Sequence, residues 1–393
     1  MLLTIIVFII VLSILVFAHE LGHFLTARRF GVRAEEFGWG FPPRAFGIYK
    51  NHHGKWKSVW GGGEINDCPD TVYSINWLPL GGFVKIKGEN GPSASSGLAE
   101  DEEADSFAGK PIWQRAIMLS AGVAMNIFLA MALIMIGFLV GLPQSLDNSL
   151  DARAQISDRK IQIVQVTKNT PAEAAGLKIG DTILSIDQRQ FTAYGELQNY
   201  VNSRIGRQLD YKIKRGQEVI NENITPVFMP DIGKGGVGVA ITETGIVSYP
   251  WYLAILEGFK LTFVLLWAII AAFYEFFKGL FVGRGLAVDL SGPVGIATIT
   301  GQVARLGFVY LLQFTALLSI NLAVINFFPF PALDGGRVLF LIIEKIKKGP
   351  VKRELEALIH NIGFALLMIL VLLVTFRDVS HFGFIKNIIN KIF

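Results

Sequence analysis

The sequence has few of the features that indicate a disulfide-stabilised or nucleic-acid-binding protein. Cys68 is the single cysteine among 393 residues, which excludes an intramolecular disulfide. The formal net charge is only +4, and no basic patch with interleaved aromatic residues occurs, so we expect no nucleic-acid partner. Hydrophobic residues make up 52% of the chain, slightly above the roughly 45–50% of soluble proteins. Their clustering is therefore more informative than their number.

Charged residues are absent from the first eighteen positions, where Leu, Ile, Val and Phe dominate. This composition predicts a membrane-spanning helix over residues 1–30. The segment has neither a basic n-region nor a small-residue cleavage site, so we expect a retained span and not a removed signal peptide. Arg28, Arg29 and Arg33 follow it. Because positive loops stay in the cytoplasm, we expect this span to run from outside to inside.

A His-Glu-x-x-His motif lies inside this apolar segment, at His19, Glu20 and His23. Histidines four residues apart share one helix face, so both imidazoles can bind one metal ion. Glu20 is placed to act as a general base on a water molecule activated by that metal. Ionisable groups are costly within a span and usually mark function. The alternative is a buried polar cluster that binds no metal.

A catalytic zinc site needs a third protein ligand, and the downstream sequence offers Asp334. This residue follows an apolar stretch over about 308–330 and ends the run NFFPFPALD. Pro329 and Pro331 interrupt the helix there, and the two following glycines permit close backbone approach. A carboxylate at such a break is a candidate ligand. The alternative is an aspartate that caps the helix beginning near Gly335.

The other apolar segments predict a multi-span α-helical membrane protein with about four transmembrane helices. Beyond the first span, the predicted segments are a cytoplasmic loop over 31–115, a second span over 116–142, a third over 306–346 and a fourth over 356–377. The second span contains Asn126, which can hydrogen-bond across helices near the metal. His360 opens the fourth span, where it either supports the site or is an ordinary interfacial histidine.

Residues 250–283 are apolar but carry four charged side chains: Glu257, Lys260, Glu275 and Lys278. A single crossing there would invert the third span and separate Asp334 from the two histidines. We therefore expect an interfacial or partly inserted amphipathic helix, with a re-entrant hairpin as the alternative.

Apolar and polar residues alternate after Gly82, which predicts a strand within residues 71–87. An exposed strand edge at Gly81, Gly82 and Phe83 could bind an extended substrate by strand addition. The alternative is an ordinary surface hairpin.

Residues 154–240 form an inserted α+β module, in which a strand precedes the run Thr170-Pro-Ala-Glu-Ala-Ala-Gly-Leu-Lys-Ile-Gly-Asp181 and another strand follows it. This pattern is similar to bacterial PDZ domains, and one copy is present. Three roles stay open: a gate or size filter above the active site, the binding of peptide ends, and a packed domain without ligand.

The His-Glu-x-x-His and NxxPxPxLDGG motifs together resemble the site-2 protease family of intramembrane metalloproteases, and most of all its bacterial regulator-of-sigma-E branch. The resemblance covers nearly the whole chain. It implies a Zn²⁺ site of His19, His23 and Asp334, with Glu20 as the catalytic base. It also implies that Asn326 helps to hold an unwound substrate segment. Residues 71–87 are implied to form a membrane-associated β-hairpin, which dips into the membrane near the active site. Asn126, Gly81, Gly82 and Phe83 complete the candidate substrate-binding set.

The resemblance implies a zinc metalloendopeptidase that cleaves the transmembrane segments of single-span proteins within the bilayer. Anti-sigma factors and remnant signal peptides are the implied substrates, and the implied location is the bacterial inner membrane with the PDZ domain outside the cytoplasm. Two other function classes are alternatives. A zinc transporter or sensor predicts polar residues spread along several spans, whereas here they concentrate at one depth. An inactive PDZ scaffold has no need of a buried base such as Glu20.

Overall fold

The computed structural model of the protein describes residues 2–63, 65, 68–89, 104–146, 150–216, 218–230, 233–282, 292–349 and 351–381. The chain divides into two compact units. One unit consists of Met1–Ile134 with Phe259–Phe393, and the other of Met135–Gly258.

The long helices follow from the apolar segments of the sequence. They are α1 (Leu2–Arg29), α2 (Ile112–Val140), α5 (Trp251–Phe281), α6 (Pro293–Leu306), α7 (Phe308–Phe327), α8 (Asp334–Lys347) and α9 (Arg353–His381). Within the described ranges, five helices are long and apolar enough to cross a membrane: α1, α2, α5, α7 and α9. The multi-span α-helical fold class is therefore confirmed. The count by length and composition is five, against the predicted four or so.

Helix α5 accounts for the additional candidate span. It is one unbroken helix of 31 residues, so the alternative of a re-entrant hairpin over these residues is wrong. Its charged residues do not interrupt it, since Lys and Glu are good helix formers, and Lys278 pairs with Glu275 one turn away at 3.1 Å. The ring of Phe277 stacks on Phe328 with centroids 5.1 Å apart, which places the last turns of α5 beside the end of α7. An interfacial position for α5 stays a prediction.

Helices α1 and α2 approach each other closely through glycine. A Cβ on Gly22 would lie 2.3 Å from the carbonyl oxygen of Ala121, so only a residue without a side chain fits there. Small residues allow helix backbones to pack at this distance within a membrane. The contact brings the α2 backbone directly against the face of α1 that carries the two histidines.

Strands β1 (Ala34–Lys50), β2 (Trp56–Trp60) and β3 (Val72–Ile86) form an antiparallel sheet in the order β2-β1-β3. The first part of β1, residues 36–39, pairs with 82–85 of β3 on one side and with 72–75 of β3 on the other.

The two arms of β3 therefore flank β1 and do not pair with each other, which corrects the predicted hairpin at 71–87. Pro79 and the positive φ of Gly81, +86°, turn the chain between the arms. Residues 82–86 form an edge of the sheet among the described strands.

The second unit contains a PDZ-like module. Its strands are β4 (Leu142–Ser145), β5 (Gln155–Val166), β6 (Thr182–Ile186), β7 (Leu209–Arg215), β8 (Glu218–Ile224), β9 (Val227–Met229), β10 (Lys234–Gly236) and β11 (Val239–Ser248), and its short helices are α3 (Pro171–Ala174) and α4 (Tyr194–Asn202). Six strands form one antiparallel sheet in the order β4-β11-β5-β6-β7-β8. Because β4 and β11 belong to this sheet, the module extends beyond the predicted limits of 154 and 240.

One ion pair stabilises the turn that leads into β6. Arg215 donates two hydrogen bonds to the carboxylate of Asp181, at 2.8 and 2.7 Å, and the Lys178 N–H donates a third at 2.8 Å. Burial acts to raise the pKa of Asp181, but these hydrogen bonds outweigh it and hold that pKa below its usual range.

Candidate metal centre

Helix α1 presents its two histidines to a single point. The Nε2 atoms of His19 and His23 lie 3.2 Å apart, and each residue is only 7% exposed. Four residues advance an α-helix by slightly more than one turn, so the spacing alone produces this convergence. The predicted pairing of the two imidazoles on one face is confirmed.

Asp334 completes a group of three ligand atoms. Its Oδ2 lies 2.9 Å from Nε2 of His19 and 3.4 Å from Nε2 of His23. Within the described part of the chain, this is the one group of His, Cys, Asp or Glu side chains whose ligand atoms converge, all within 4.8 Å of one another. Leu333 occupies the cap position of α8, and no side chain makes a cap hydrogen bond there. Asp334 is therefore the first residue of α8 and not its cap residue.

The donor set and the surrounding space fit a zinc ion. His23 Nδ1 lies 2.8 Å from the carbonyl oxygen of Met118, which can only accept, so Nδ1 carries the ring proton and Nε2 has a free lone pair. A Cβ on Gly122 would lie 2.3 Å from His23 Nε2 and 2.8 Å from His19 Nε2. The missing side chain thus leaves a cradle beside both nitrogens. Two imidazoles and a carboxylate are ligands that a catalytic zinc ion uses.

A small cavity adjoins the ligand group and contains the predicted base. It has a volume of about 160 Å³ and is lined by Val16, His19, Glu20, Leu322, Asn326, Ala332, Leu333 and Asp334. Glu20 is half-buried. The structure therefore brings Glu20 and Asn326, which are 306 positions apart in the sequence (326 − 20), to the same cavity as two of the three ligands.

The segment before Asp334 is held by contacts that the sequence does not reveal. Ala332 has a positive φ of +77°, which is strained for a residue with a side chain. Its N–H donates to Nδ1 of His360 in α9 at 2.9 Å. A Cβ on Gly335 would lie 2.3 Å from the carbonyl oxygen of Phe327, so the chain folds tightly back on α7. His360 thus supports the loop that carries the third ligand.

The predicted substrate-binding strand lies against α1, close to the metal centre. A Cβ on Gly81 would lie 2.6 Å from Val16, and one on Gly82 would lie 3.0 Å from Phe17. Phe83 follows on the edge arm of β3.

Ser13 attaches this strand to α1 and was not identified from the sequence. Its Oγ donates to the carbonyl of Pro79 at 2.8 Å and accepts from the N–H of Gly81 at 3.1 Å. The one signal available was a hydroxyl within an apolar run, which is also common in spans without any such role.

Asn126 does not line the cavity, which argues against its assignment to substrate binding. It is fully buried, and its Nδ2 lies 3.2 Å from Nδ1 of His19. It therefore contacts the candidate ligand His19 at Nδ1, whereas Asp334 faces Nε2 of the same ring.

Comparisons with known proteins identify the family. The model of peptidase family M50 matches residues 7–61 and 62–370. The chain belongs to peptidase family M50. The regulator of sigma-W protease RasP of Bacillus subtilis is 32% identical to this M50 peptidase, over 96% of this chain and 98% of the relative. The zinc metalloprotease RasP of Geobacillus kaustophilus is also 32% identical, over 96% and 98% of the two chains.

Among solved structures, the PDZ domain of the SdrC-like protein Lin2157 from Listeria innocua is 26% identical, covers 21% of this chain and 92% of its own, and has a TM-score of 0.20. The match to peptidase family M50 includes both ligand motifs and the module between them. The resemblance based on the two motifs is therefore confirmed for this M50 peptidase.

Proposed function

We propose that this M50 peptidase is an intramembrane zinc metalloprotease in which His19, His23 and Asp334 hold the zinc ion and Glu20 is the general base. The convergence of three ligand atoms beside Glu20, two of them on the apolar helix α1, carries the proposal. Relatives named as zinc metalloproteases support the choice of metal. When bound, zinc polarises the scissile carbonyl and makes water acidic enough to attack near neutral pH.

The protein's own groups then move the proton and position the substrate. Glu20 takes a proton from the attacking water at its carboxylate and delivers it to the nitrogen of the leaving amine. Asn326 lines the same cavity, where its amide can hydrogen-bond to the backbone of a bound peptide. His23 is kept in place by its bond to the Met118 carbonyl, so the site needs little rearrangement before the reaction.

The proposed substrate is the transmembrane segment of a single-span protein. Peptide bonds in a membrane helix are shielded by their own hydrogen bonds, so the segment must unwind before attack. Residues 82–86 offer a strand edge that can replace the lost hydrogen bonds by strand addition. This edge packs on α1 at Phe17, two residues before the first ligand, so an added strand would run close to the cavity.

We further propose that one face of the β1–β3 sheet contacts lipid. Exposed apolar side chains on this face are Ile48, Trp56, Trp60 and Ile75. Trp60 and Ile75 both lie opposite Phe46, and opposite residues in antiparallel pairs share a face. The face continues to Phe37, whose ring stacks on Phe24 of the spanning helix α1 at 4.5 Å. Tryptophan is enriched where membrane meets water, which supports an interfacial position.

The finer assignments of location and partner are part of this proposal. The name of the Bacillus subtilis relative contains regulation of sigma-W, which supports anti-sigma factors as substrates, with remnant signal peptides as a second class. We place this M50 peptidase in the bacterial inner membrane with its PDZ-like module outside the cytoplasm. There the module acts as a gate or size filter, and capture of peptide ends is its alternative role.

The test is cleavage of a model single-span substrate by the purified full-length protein in detergent. We expect Glu20→Gln to keep zinc at the wild-type stoichiometry but to lower cleavage by roughly 10²–10⁴-fold, since it removes only the proton acceptor. The matched control is Glu275→Gln in α5, where the carboxylate is exposed and pairs with Lys278.

His23→Ala separates metal binding from proton transfer, because it is expected to lose the zinc. Equal cleavage by wild type and Glu20→Gln would remove Glu20 from the mechanism. Full zinc content in His23→Ala would refute the ligand assignment.

A further inference from the structure

Three helices meet at Asn126. This residue of α2 has no exposed surface, and its Nδ2 lies 3.2 Å from His19 Nδ1. Its backbone carbonyl accepts a hydrogen bond of 2.8 Å from Ser319 Oγ in α7. The amide is therefore held against the edge of the His19 ring that faces away from Asp334.

The ring nitrogen of His19 that carries the proton determines which end of the Asn126 amide can hydrogen-bond to the ring. Nε2 of His19 faces Asp334 Oδ2 at 2.9 Å, so Nε2 is the atom that would bind a metal. A neutral imidazole carries one ring proton, and when Nε2 gives its lone pair to a metal, that proton is on Nδ1. The Nδ1–H then requires an acceptor. The Asn126 NH2 group cannot accept, but the amide oxygen can.

Rotation of the amide by about 180° exchanges Oδ1 and Nδ2 without changing the shape of the side chain. With Nδ2 toward His19, the buried Oδ1 has no hydrogen-bond partner. With Oδ1 toward His19, the NH2 group occupies the buried position that Oδ1 held. In either orientation, the end of the amide that does not face His19 meets the same surroundings. The position of the ring proton on His19 therefore determines which orientation is favoured.

We propose that Asn126 is a positioning residue of the metal centre, whose amide oxygen accepts the Nδ1 proton of His19 and thereby fixes Nε2 as a metal ligand. This inference rests on the proposed zinc site and extends it to a residue outside the cavity. A ligand histidine commonly donates its other ring proton to an oxygen acceptor, and loss of that acceptor weakens metal binding. Asn126 lies one helical turn after Gly122, so one face of α2 provides both the cradle for the ion and the acceptor.

The experiment measures zinc affinity, by competition with a chelating dye, on purified full-length protein in detergent. Asn126→Leu keeps the approximate volume and removes the acceptor, and it should weaken zinc binding about 10- to 100-fold. Asn126→Asp keeps an oxygen acceptor and should bind zinc at least as tightly as the wild type. The matched control is Asn321→Leu in α7, because the Asn321 amide donates only to Leu317 of its own helix. It should leave the affinity unchanged.

The outcomes separate this inference from the proposed function. No zinc bound by the wild type would overturn both. Wild-type affinity in Asn126→Leu would overturn the inference alone, and so would an Asn126→Asp variant that loses as much affinity as Asn126→Leu. If Asn126→Leu aggregates on gel filtration, the rate of zinc release from Asn126→Asp decides. A rate equal to or slower than that of the wild type supports the acceptor role, and a faster rate overturns it.

Discussion

Two of the three candidate ligands come from a regular helix, and the third comes from a break between helices. His19 and His23 obtain their spacing from α1 alone. Asp334 stands at the first residue of α8, after a segment that contains two prolines and a strained Ala332. The helical ligands therefore obtain their spacing from one element, and the space in front of them must stay open. The ligand after the break needs contacts with α7 and α9 to hold its position.

This difference means that the two sides of the site should fail in different ways. On the helix side, the backbone cannot easily move, so a substitution that fills the space for the ion should be severe. On the loop side, several contacts hold the segment before Asp334. Besides the hydrogen bond to His360, Gly363 of α9 packs on Pro331, where a Cβ would lie 2.4 Å from the proline ring. Loss of one such contact should be tolerated in part.

The largest effect is expected from Gly122→Ala. The new methyl group would lie 2.3 Å from His23 Nε2 and 2.7 Å from His19 Cε1, where it occupies the cradle beside the ligand atoms. The His23 ring cannot retreat without losing its hydrogen bond to the Met118 carbonyl. We expect zinc content, measured by atomic absorption, to fall to background, and cleavage to be lost with it.

Gly279→Ala in α5 is the matched control, because a Cβ there meets no atom within 4 Å. It should retain both zinc and activity. Normal zinc binding by Gly122→Ala would show that the ion does not lie beside α2. The expectation that the helix side of the site is more sensitive to substitution than the loop side would then be wrong.

A smaller effect is expected from His360→Ala on the loop side. The substitution removes the acceptor of the Ala332 N–H, and one such hydrogen bond is worth about 1 kcal/mol. Zinc affinity should therefore drop by roughly fivefold, with the fold of the protein intact. Dye competition on the purified protein measures the change.

Asn361→Ala, at the next residue of α9, is its control and should bind zinc as the wild type does. If His360→Ala lost zinc as completely as Gly122→Ala, the loop before Asp334 would depend on this single hydrogen bond and not on several contacts.

The sequence predicts the parts of the site that depend on local rules, but it leaves the role of His360 open and misses that of Ser13. Helical periodicity is enough to pair His19 with His23, and the proline-broken motif is enough to nominate Asp334. His360 reaches Ala332 across 28 residues, and Ser13 reaches Gly81 across 68. Neither contact leaves a periodic pattern in the sequence.

The fold shows the same limit. Alternation after Gly82 indicates a strand, and the family resemblance implies a hairpin over 71–87. Their placement on opposite sides of β1 depends on long-range pairing, which alternation within one segment cannot express. Similarly, the count of crossings argues against a span at α5 and leaves a re-entrant hairpin open, whereas the structure has one unbroken helix there.

The smallest effect on zinc binding is expected from Ser13→Ala, which tests whether α1 positions the substrate strand as well as the metal. The fully buried hydroxyl bonds to Pro79 and Gly81, so its loss should let the edge arm of β3 shift relative to the cavity. We expect KM for a single-span substrate to rise roughly 3- to 10-fold, consistent with loss of about 1 kcal/mol of hydrogen bonding. Zinc affinity and kcat should stay within about twofold of wild type, since no ligand is touched. Ser380→Ala is the control, because that hydroxyl bonds only to its own helix at Arg377. A fall in zinc affinity with unchanged KM would mean that Ser13 supports the metal ligands and not the substrate strand. The idea that α1 positions the strand through Ser13 and the metal through its histidines would then be wrong.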